Sequence, residues 1–568
     1  MTVSLKVEFD VPAEMRDGTI LRANIFRPDD ESEYPIALTR TPYGKDYMTG
    51  FPFMDLVRLA QAGFIVIAQD VRGRGKSDGE WELFTHEAED GYDTVEWAAA
   101  LHGSNGNVGM WGFSYLGFTQ WTAATLQPPH LKAIMPAFTW SDTRNGMFWR
   151  GGALELGLLV HLMLPSLGLE TIFKRHAQNP EELGKAITTF IHENDHLKDS
   201  GFLSLPLDTL KPIVNTQLGV EYLADLIANP NDEKFSAMPY SITQEYKKMQ
   251  IPAFNIAGWN DIFSQDTIRN YTEQLKAADP DNPPASKLII GPWAHLNYSN
   301  VIGEADYGMT GSMTFIDGQY DHVALTARWF DYWLKGKENG ILDEPPIKVF
   351  LSGKNTWVHE NEWPPTRTIF TPLYLHKGAS LSIQMPKDDE PSIGYSYDSA
   401  NPTPTWGGAV LMHPVFVPGV KDQRGIEHRN DILSFTSQPL TEDLQVMGPV
   451  EVKLWASSSA PETDFVARLI DVHPDGYAHN LTDGIIRTPP QYPGKVMELN
   501  IDLWSVGHVF ETGHSLRLDI ASANFPRWDR NPNTGKPFGQ SADLQIAEQT
   551  IYIEAQYPSH IILPVIPK

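Results

Sequence analysis

The stretch VGMWGFSYLGF, residues 108–118, carries the pattern that decides the fold. Its apolar first half predicts a strand that runs into a Gly-x-Ser turn, and a helical pattern begins directly after the turn. Ser114 would then lie on a strand-to-helix elbow, which strains its backbone and exposes its hydroxyl at the carboxyl edge of a sheet. Gly112 and Gly117 are small enough for helix and strand to approach closely. The same bend points the Tyr115 amide at the group that Ser114 attacks.

Strand and helix patterns alternate through residues 1–142, on either side of that stretch. The expected strands are residues 20–26, 35–39, 64–68 and 131–136, and the expected helices are residues 54–62 and 90–101. The same pattern returns in residues 248–363, with strands at 252–256, 287–290 and 347–351 and a helix at 323–334. This alternation predicts a mostly parallel sheet covered by helices, with ligands at the carboxyl ends of its strands.

Two further segments have a different texture. Residues 143–247 are mainly helical and are interrupted by Pro and Gly, which predicts an inserted cap. The expected cap helices are residues 153–164, 180–192 and 221–227. Residues 364–568 show short alternating strands between Pro, Gly, Asn and Asp turns, for example at 450–455, 465–472, 516–521 and 551–554. That pattern is typical of a β sandwich or a jelly roll.

Composition and charge exclude several classes of partner. The 568 residues include 44 Lys and Arg against 71 Asp and Glu, and the net charge of -27 repels nucleic acid and anionic lipid. Residues 1–11 alternate like a strand and do not look like a signal peptide, and no apolar run has the length of a membrane span. We therefore expect a cytoplasmic protein that binds neither nucleic acid nor membrane. The lack of cysteine excludes disulfides, thiol catalysis and thiolate metal sites.

The sequence GRGKS, residues 73–77, resembles the end of a phosphate-binding loop. Such a loop needs a glycine five positions before Gly75, and Asp70 stands there instead. We interpret the segment as a glycine-rich turn after the strand expected at 64–68, in which Asp70 and Arg72 form local ion pairs.

A serine nucleophile needs a base within hydrogen-bond reach and an acid that holds the base in one tautomer. On a sheet of this kind the three residues follow in the order Ser, Asp or Glu, His. Asp261 lies just past the strand expected at 252–256, and His295 lies just past the strand expected at 287–290. Each residue taken singly is also typical of a structural role, as a helix cap or a turn residue. Their order after Ser114 favours a catalytic triad.

Eight separate motifs span the whole chain. They are TPYGK (41–45), DVRGRGKSDG (70–79), GFSYLG (112–117), GWNDIF (258–263), GPWAH (291–295), TDFVARL (463–469), LTDG (481–484) and NPNTG (531–535). Together they resemble the CocE/NonD family of α/β-hydrolases, the cocaine esterase and glutaryl-acylase type, which is related to the X-prolyl dipeptidyl peptidases. The resemblance implies an α/β-hydrolase core, an inserted helical cap and a carboxyl-terminal β jelly roll, in the segments 1–142 and 248–363, 143–247, and 364–568.

The resemblance also implies a role for each residue of the candidate site. Ser114 becomes the nucleophile, His295 the general base and then acid, and Asp261 the carboxylate that orients His295. Tyr43 would give its hydroxyl to the oxyanion hole beside the Tyr115 amide. A phenol suits that role because it donates a short hydrogen bond without carrying charge.

Substrate selectivity depends on the residues around this set. We expect aromatic side chains to form the wall of an apolar acyl pocket, namely Phe148, Trp149 and Phe263. In the α-amino-acid ester hydrolases of this family, acidic residues two and three positions past the catalytic Asp help to bind the substrate ammonium. Phe263 and Ser264 hold those positions here, which argues against an α-amino acyl group. Glu304 and Asp306 are the acidic residues that could bring charge to the mouth, although a solvated loop is the simpler interpretation.

Two classes of function agree with these observations. The first is a metal-independent serine carboxylesterase that needs no cofactor and acts on a small-molecule ester through an acyl-enzyme. An amidase, either a β-lactam side-chain acylase or an X-prolyl dipeptidyl peptidase, is its alternative because ester and amide hydrolysis use the same triad. The second class is a carbohydrate- or protein-binding module with an inert hydrolase core, which the complete Ser, Asp, His and Tyr set disfavours. The sequence leaves open whether the protein forms a homo-oligomer.

Overall fold

The computed structural model describes residues 4–51, 54–388 and 390–568. In its first part, each strand and helix that the sequence predicts is present near the expected bounds. Residues 1–3 of the strand expected at 1–11 lie outside the described residues. The elements are β1 (Leu5–Glu14), β2 (Ile20–Pro28), β3 (Tyr34–Thr41), α1 (Leu56–Gln61), β4 (Ile65–Asp70), α2 (Glu87–Ala99), β5 (Ser104–Phe113), α3 (Tyr115–Thr125) and β6 (Leu131–Ala137).

The cap is more broken than its sequence suggests. Its elements are β7 (Trp149–Arg150), β8 (Ala153–Leu154), α4 (Leu156–His161), α5 (Gly168–His176), α6 (Pro180–Asp195), α7 (Lys211–Thr216) and α8 (Val220–Ala228). A single helix over residues 153–164 is wrong, because β8 pairs with β7 before α4 begins and a π-helical turn with Pro165 inside follows α4. Helix α6 begins as expected, with Pro180 in its first turn and the Asn179 side chain accepting a hydrogen bond from the Glu182 amide.

The hydrolase core resumes after the cap. Its elements are β9 (Phe254–Asn260), α9 (Ser264–Ala277), β10 (Lys287–Ala294), β11 (Val301–Ile302), β12 (Ala305–Asp306), α10 (His322–Lys335), β13 (Ile347–Leu351) and β14 (Thr356–Glu360). The sequence analysis does not predict α9. Several of its buried positions are polar, including Asp266, Asn270 and Gln274, so the helix lacks a plain apolar stripe.

One ten-stranded sheet joins both parts of the core, in the order β1-β2-β4-β3-β5-β6-β9-β10-β13-β14. The strands from β4 to β13 run parallel, and only β1, β2 and β14 are antiparallel to their neighbours. Parallel strands bring their carboxyl ends to the same edge of a sheet. The turns that follow β5, β9 and β10 therefore meet at one edge.

The last third folds into a separate β domain around its own apolar core. Its strands are β15 (Ile369–His376), β16 (Ser380–Ser382), β17 (Ile393–Asp398), β18 (Leu433–Ser437), β19 (Leu444–Ser458), β20 (Asp464–Val472), β21 (Ala478–Arg487), β22 (Met497–Phe510), β23 (Ser515–Ala521), β24 (Ile546–Ile551) and β25 (His560–Val565). All but one of their pairings are antiparallel. The architecture confirms the predicted α/β core with a carboxyl-terminal β domain. The segment boundaries stay predictions.

Among the described residues no single helix is long and apolar enough to cross a membrane. One bent pair of helical segments, Leu156–Ser166 and Gly168–His176, reaches that length and composition together, with a bend of 44° between them. Leu158 and Leu162 of this pair face the cavity described below.

Candidate active site

Ser114 lies between β5 and α3 on a strained turn. Its φ of 57° and ψ of -125° fall outside the regions that most residues adopt, which is the elbow geometry that the sequence predicts. Its amide donates to the Ala137 carbonyl at 2.9 Å and so ties the turn to β6. A Cβ on Gly112 would stand 2.6 Å from Cβ of Leu116, and one on Gly117 would stand 2.7 Å from Cβ of Thr139. Both glycines are therefore required by close approach.

The two ends of Tyr115 have different surroundings. Its phenol is buried and donates to Glu87 Oε1 at 2.8 Å, while Glu87 Oε2 pairs with Arg40 at 2.8 Å. Burial, and then the Glu87 charge, raise the pKa of Tyr115 well above its ordinary value, so the phenol is neutral. The amide belongs to the first turn of α3, where helical N–H groups have no partner within the helix. The side chain therefore anchors the elbow, and the amide lies at the N-terminal end of α3 directly beside Ser114.

Asp261 and His295 form a short hydrogen bond at the ends of β9 and β10. The distance between Asp261 Oδ2 and His295 Nδ1 is 2.6 Å, and both side chains are almost fully buried. Asp261 Oδ1 accepts from the Phe263 amide at 2.7 Å, which fixes the carboxylate plane. With Nδ1 engaged, Nε2 is the nitrogen of His295 that remains for substrate or for a nucleophile.

Tyr43 faces the same cavity from the loop after β3. Burial raises the pKa of Tyr43 to about 12, although hydrogen bonding with Ser114 opposes the rise. Its phenol is therefore protonated at neutral pH and can donate a hydrogen bond. Arg74 holds the loop, because its Nε donates to the Pro42 carbonyl at 2.9 Å and another guanidinium nitrogen donates to the Leu167 carbonyl in the cap at 3.2 Å.

The GRGKS segment has the structural role that the sequence analysis assigns to it. Arg72 pairs with Asp90 at 2.6 Å and with Asp17 at 2.7 Å. Asp70 accepts from the Lys45 amide at 2.6 Å and pairs with the Lys45 ammonium at 3.3 Å. These contacts confirm the expected local ion pairs, and they brace the loop that carries Tyr43.

A cavity of about 250 Å³ opens above the elbow, between the sheet edge and the cap. It brings together Ser114, His295 and Tyr43, with Asp261 directly behind His295. The other described residues around it are mostly apolar: Tyr47, Phe51, Phe113, Trp140, Met147, Leu158, His161, Leu162, Pro165, Ser166, Phe263, Leu296 and Leu411. A small, largely apolar chamber beside these polar groups suits a compact acyl group.

The expected aromatic wall is present only in part. Phe263 lines the cavity, with its ring centre 5.4 Å from that of His295. Phe148 and Trp149 do not line it, which corrects their expected position. Phe148 packs against Phe84, and Trp149 packs against Phe235. The reason is the hairpin of β7 and β8, which turns the chain towards the β domain directly after the wall residue Met147.

Glu304 and Asp306, the acidic residues that could have brought charge to the mouth, do not line the cavity. Glu304 accepts from the Asp422 amide at 2.9 Å and so links the core to the β domain. Asp306 is exposed and accepts from Asn300 at 2.7 Å and from the Gly308 amide at 2.9 Å, which lower its pKa. Ser264 is buried at the start of α9. None of the described cavity residues is Asp or Glu.

His161 is a cavity residue that sequence reasoning missed. Burial, followed by the neighbouring imidazoles of His295 and His413, lowers the pKa of His161 to about 4. Its ring is therefore neutral at pH 7, and its buried Nδ1 has no hydrogen-bond partner among the described residues. The signal in the sequence was a single polar residue inside the apolar run of residues 156–164. Trp140, which packs on Phe263 at 5.2 Å between ring centres, carried no such signal.

Comparison with known proteins finds relatives along most of the chain. The profile of X-Pro dipeptidyl-peptidase (S15 family) matches residues 17–297, and that of the X-Pro dipeptidyl-peptidase C-terminal non-catalytic domain matches residues 339–562. Cocaine esterase of Rhodococcus sp. (strain MB1 Bresler) is 31% identical, over 99% of this chain and 98% of its own. A putative serine esterase of Mycobacterium bovis is 24% identical, over 90% of this chain and 89% of its own.

A solved structure of an α-amino acid ester hydrolase has a TM-score of 0.80 and 26% identity, and the match covers 99% of this chain and 96% of that one. Fold and relatives together define a serine hydrolase of the α/β class, so a binding module with an inert core is not supported. The chain belongs to the CocE/NonD family of serine hydrolases, whose named relatives support ester hydrolysis.

Proposed function

We propose that the protein is a carboxylesterase that works through an acyl-enzyme on Ser114. His295 Nε2 takes the Ser114 proton as its oxygen attacks the ester carbonyl, and then gives that proton to the leaving alkoxide. In deacylation His295 takes a proton from water, which attacks the acyl group, and then returns that proton to the Ser114 oxygen. Asp261 holds His295 in the tautomer that leaves Nε2 unprotonated. The single observation that carries the proposal is the 2.6 Å bond between Asp261 and His295 on the cavity that Ser114 lines.

The oxyanion would be held by the Tyr43 hydroxyl and the Tyr115 amide. Two observations support this role for Tyr43: its loop is braced by Arg74, and its raised pKa keeps the proton on the oxygen. A donor fixed before the reaction stabilises charge that develops in the transition state at little reorganisation cost.

We propose that the preferred substrates are esters of short or aromatic acyl groups without an α-ammonium. The support is the small cavity, whose described walls lack Asp and Glu, together with a His161 that is neutral at pH 7. A substrate ammonium would lose several kcal/mol of hydration there without a carboxylate partner.

An amidase on the same triad is the second candidate, because the matching profile is that of an X-Pro dipeptidyl-peptidase family. A dipeptidyl peptidase must bind the charged amino terminus of its substrate, and the described cavity walls offer no anion for it. An acylase that cleaves an uncharged amide side chain meets no such objection.

Covalent labelling tests the nucleophile. A fluorophosphonate should inactivate the enzyme and add its mass to the peptide that contains Ser114, and Ser114→Ala should take up no label. A label on another residue, or near-normal turnover by Ser114→Ala, would overturn the proposal. Chelator treatment should leave turnover intact, because no step uses a metal.

A matched panel separates ester from amide chemistry. p-Nitrophenyl esters and the corresponding p-nitroanilides share the acyl group and differ in the leaving group. We expect the esters to be hydrolysed with the higher kcat/KM once each pair is corrected for its uncatalysed rate. Equal or better use of the anilides after that correction would favour the acylase.

A further inference from the structure

Four histidines of the β domain surround one buried carboxylate in a group that the proposed reaction does not use. The group, called here the histidine cluster, consists of Asp471, His473, His479, His508 and His514. Asp471 lies at its centre, within 3.0 Å of His508 Nε2 and 2.9 Å of His514 Nδ1. The rings of His473 and His514 are 4.3 Å apart. Asp471, His473 and His479 come from the neighbouring strands β20 and β21 and the turn between them, whereas His508 lies in β22 and His514 in the turn before β23.

We propose that Asp471, His473 and His514 form a binding site for a divalent transition metal of the Zn²⁺ type. Each offers one ligand atom, and the three atoms lie within 4.8 Å of one another. Nitrogen and oxygen ligands of tetrahedral Zn²⁺ lie at about 2.0–2.2 Å from the ion, which puts them roughly 3.4 Å apart. Shortening the widest of these separations by up to about 1.4 Å therefore closes the set around an ion.

The surroundings of the three residues support this assignment. One third of the His473 side chain is exposed, so an ion can reach the site from solvent. His508 holds the carboxylate through Nε2, and its Nδ1 shares a 2.7 Å hydrogen bond with the Ser352 hydroxyl. Metal sites commonly have such outer partners, which orient the ligands before the ion arrives. Two imidazoles and one carboxylate suit Zn²⁺ or Co²⁺ and not the oxygen-seeking Ca²⁺ and Mg²⁺.

The position of the cluster points to a structural role. Ser352 follows β13 of the hydrolase sheet, and its amide donates to the Gly507 carbonyl of β22 at 3.1 Å, while its carbonyl accepts from the Val509 amide at 2.9 Å. The cluster thus adjoins the seam between the hydrolase core and the β domain. None of its members lines the cavity at Ser114. The ion would stabilise this seam and take no part in hydrolysis.

Metal titration of the full-length protein tests the site. Protein stripped with a chelator and dialysed is titrated with Zn²⁺ by calorimetry, and with Co²⁺ by visible absorption, which reports coordination geometry. We expect one ion per chain, no competition from Ca²⁺ or Mg²⁺, and a higher Tm with Zn²⁺. His473→Ala and His514→Ala should each weaken binding at least tenfold and abolish the rise in Tm.

A second histidine pair provides the control. His192 lies in α6 and His196 directly follows it, with ring centres 4.3 Å from each other, and the two offer another imidazole pair for an added ion. His196→Ala should bind Zn²⁺ as the parent protein does. Binding that disappears in His196→Ala, or that survives in His473→Ala, would overturn the proposal and leave the cluster as a hydrogen-bond network. If His514→Ala does not fold, His473→Ala decides alone, because the His473 side chain is one third exposed and that of His514 is more deeply buried.

Discussion

The two walls of the cavity are built in different ways. On the sheet edge, Ser114, Asp261 and His295 each follow the end of a strand, and backbone geometry fixes where they lie. On the cap, Met147, Leu158 and His161 come from short helices and turns whose positions depend on packing. Local strand geometry therefore positions the residues of the proposed triad, whereas the shape of the pocket depends on tertiary packing. Changes on the edge should act mainly on kcat, and changes on the cap should act on selectivity.

The largest effect should come from the edge. Asp261→Asn keeps the shape of the side chain and loses its charge, so it favours the wrong tautomer of His295 and leaves the imidazolium unstabilised. We expect kcat to fall by about 10⁴-fold. Steady-state kinetics with a p-nitrophenyl ester would measure this. Asp306→Asn, the same change in an exposed loop, should stay within about twofold of the parent enzyme. A loss below about tenfold in Asp261→Asn would show that another acid orients His295.

The oxyanion hole should give the next largest effect. Tyr43→Phe removes one donor and keeps the ring, so kcat should fall by roughly 100- to 1000-fold with KM little changed. Tyr34→Phe, which removes a hydroxyl bound to Asp30 at 2.8 Å far from the cavity, is the matched control and should keep normal kcat. If kcat falls by less than about threefold in Tyr43→Phe, the Tyr43 hydroxyl does not hold the oxyanion and the residue serves only in packing.

The sequence could predict the residues at the sheet edge because a strand and the turn after it are specified by neighbouring residues in the chain. The elbow motif lies where its pattern indicates, and β9 and β10 overlap the strands expected before Asp261 and His295, although each ends about four residues later than expected. It could not predict the cap wall, since the hairpin after Met147 turned Phe148 and Trp149 away and only packing decides such a turn. The histidine cluster was hidden for a related reason, because His508 and His514 reach Asp471 only when β22 and β23 take their places in the β domain.

On the cap, His161 should make stability depend on pH. Its pKa is about 4 in the folded protein and about 6.5 when unfolded, so the unfolded state binds the proton first as pH falls. The contribution of neutral His161 to the free energy of unfolding is fully present above pH 6.5 and is lost as the pH falls towards 4. Between pH 6.5 and pH 5 the free energy of unfolding should fall by at most about 2 kcal/mol through this residue. The loss should be smaller than that limit because the ring is partly exposed to the cavity. Chemical denaturation of the parent protein and of His161→Gln at pH 6.5 and pH 5 measures the change in the free energy of unfolding. The same change in both proteins would contradict the prediction.

The smallest expected effect concerns the acyl group of the substrate. It tests whether the cavity disfavours acyl groups that carry a charged α-amine. Phenylacetyl and phenylglycyl esters with one leaving group differ only in the α-amino group. With Phe263 and Ser264 where an ammonium would need carboxylates, the phenylacetyl ester should win in competition at pH 6. We expect a factor of less than about tenfold, or 1.4 kcal/mol, because the α-amine can lose its proton before it enters the cavity and so avoids most of the hydration loss. Because deprotonation removes the ammonium, the difference should shrink from pH 6 to pH 8, as kcat/KM for each ester would report. A charged phenylglycyl ester with a tenfold higher kcat/KM than the phenylacetyl ester would mean that a carboxylate reaches the substrate. The protein would then be better described as an α-amino-acid ester hydrolase of this family.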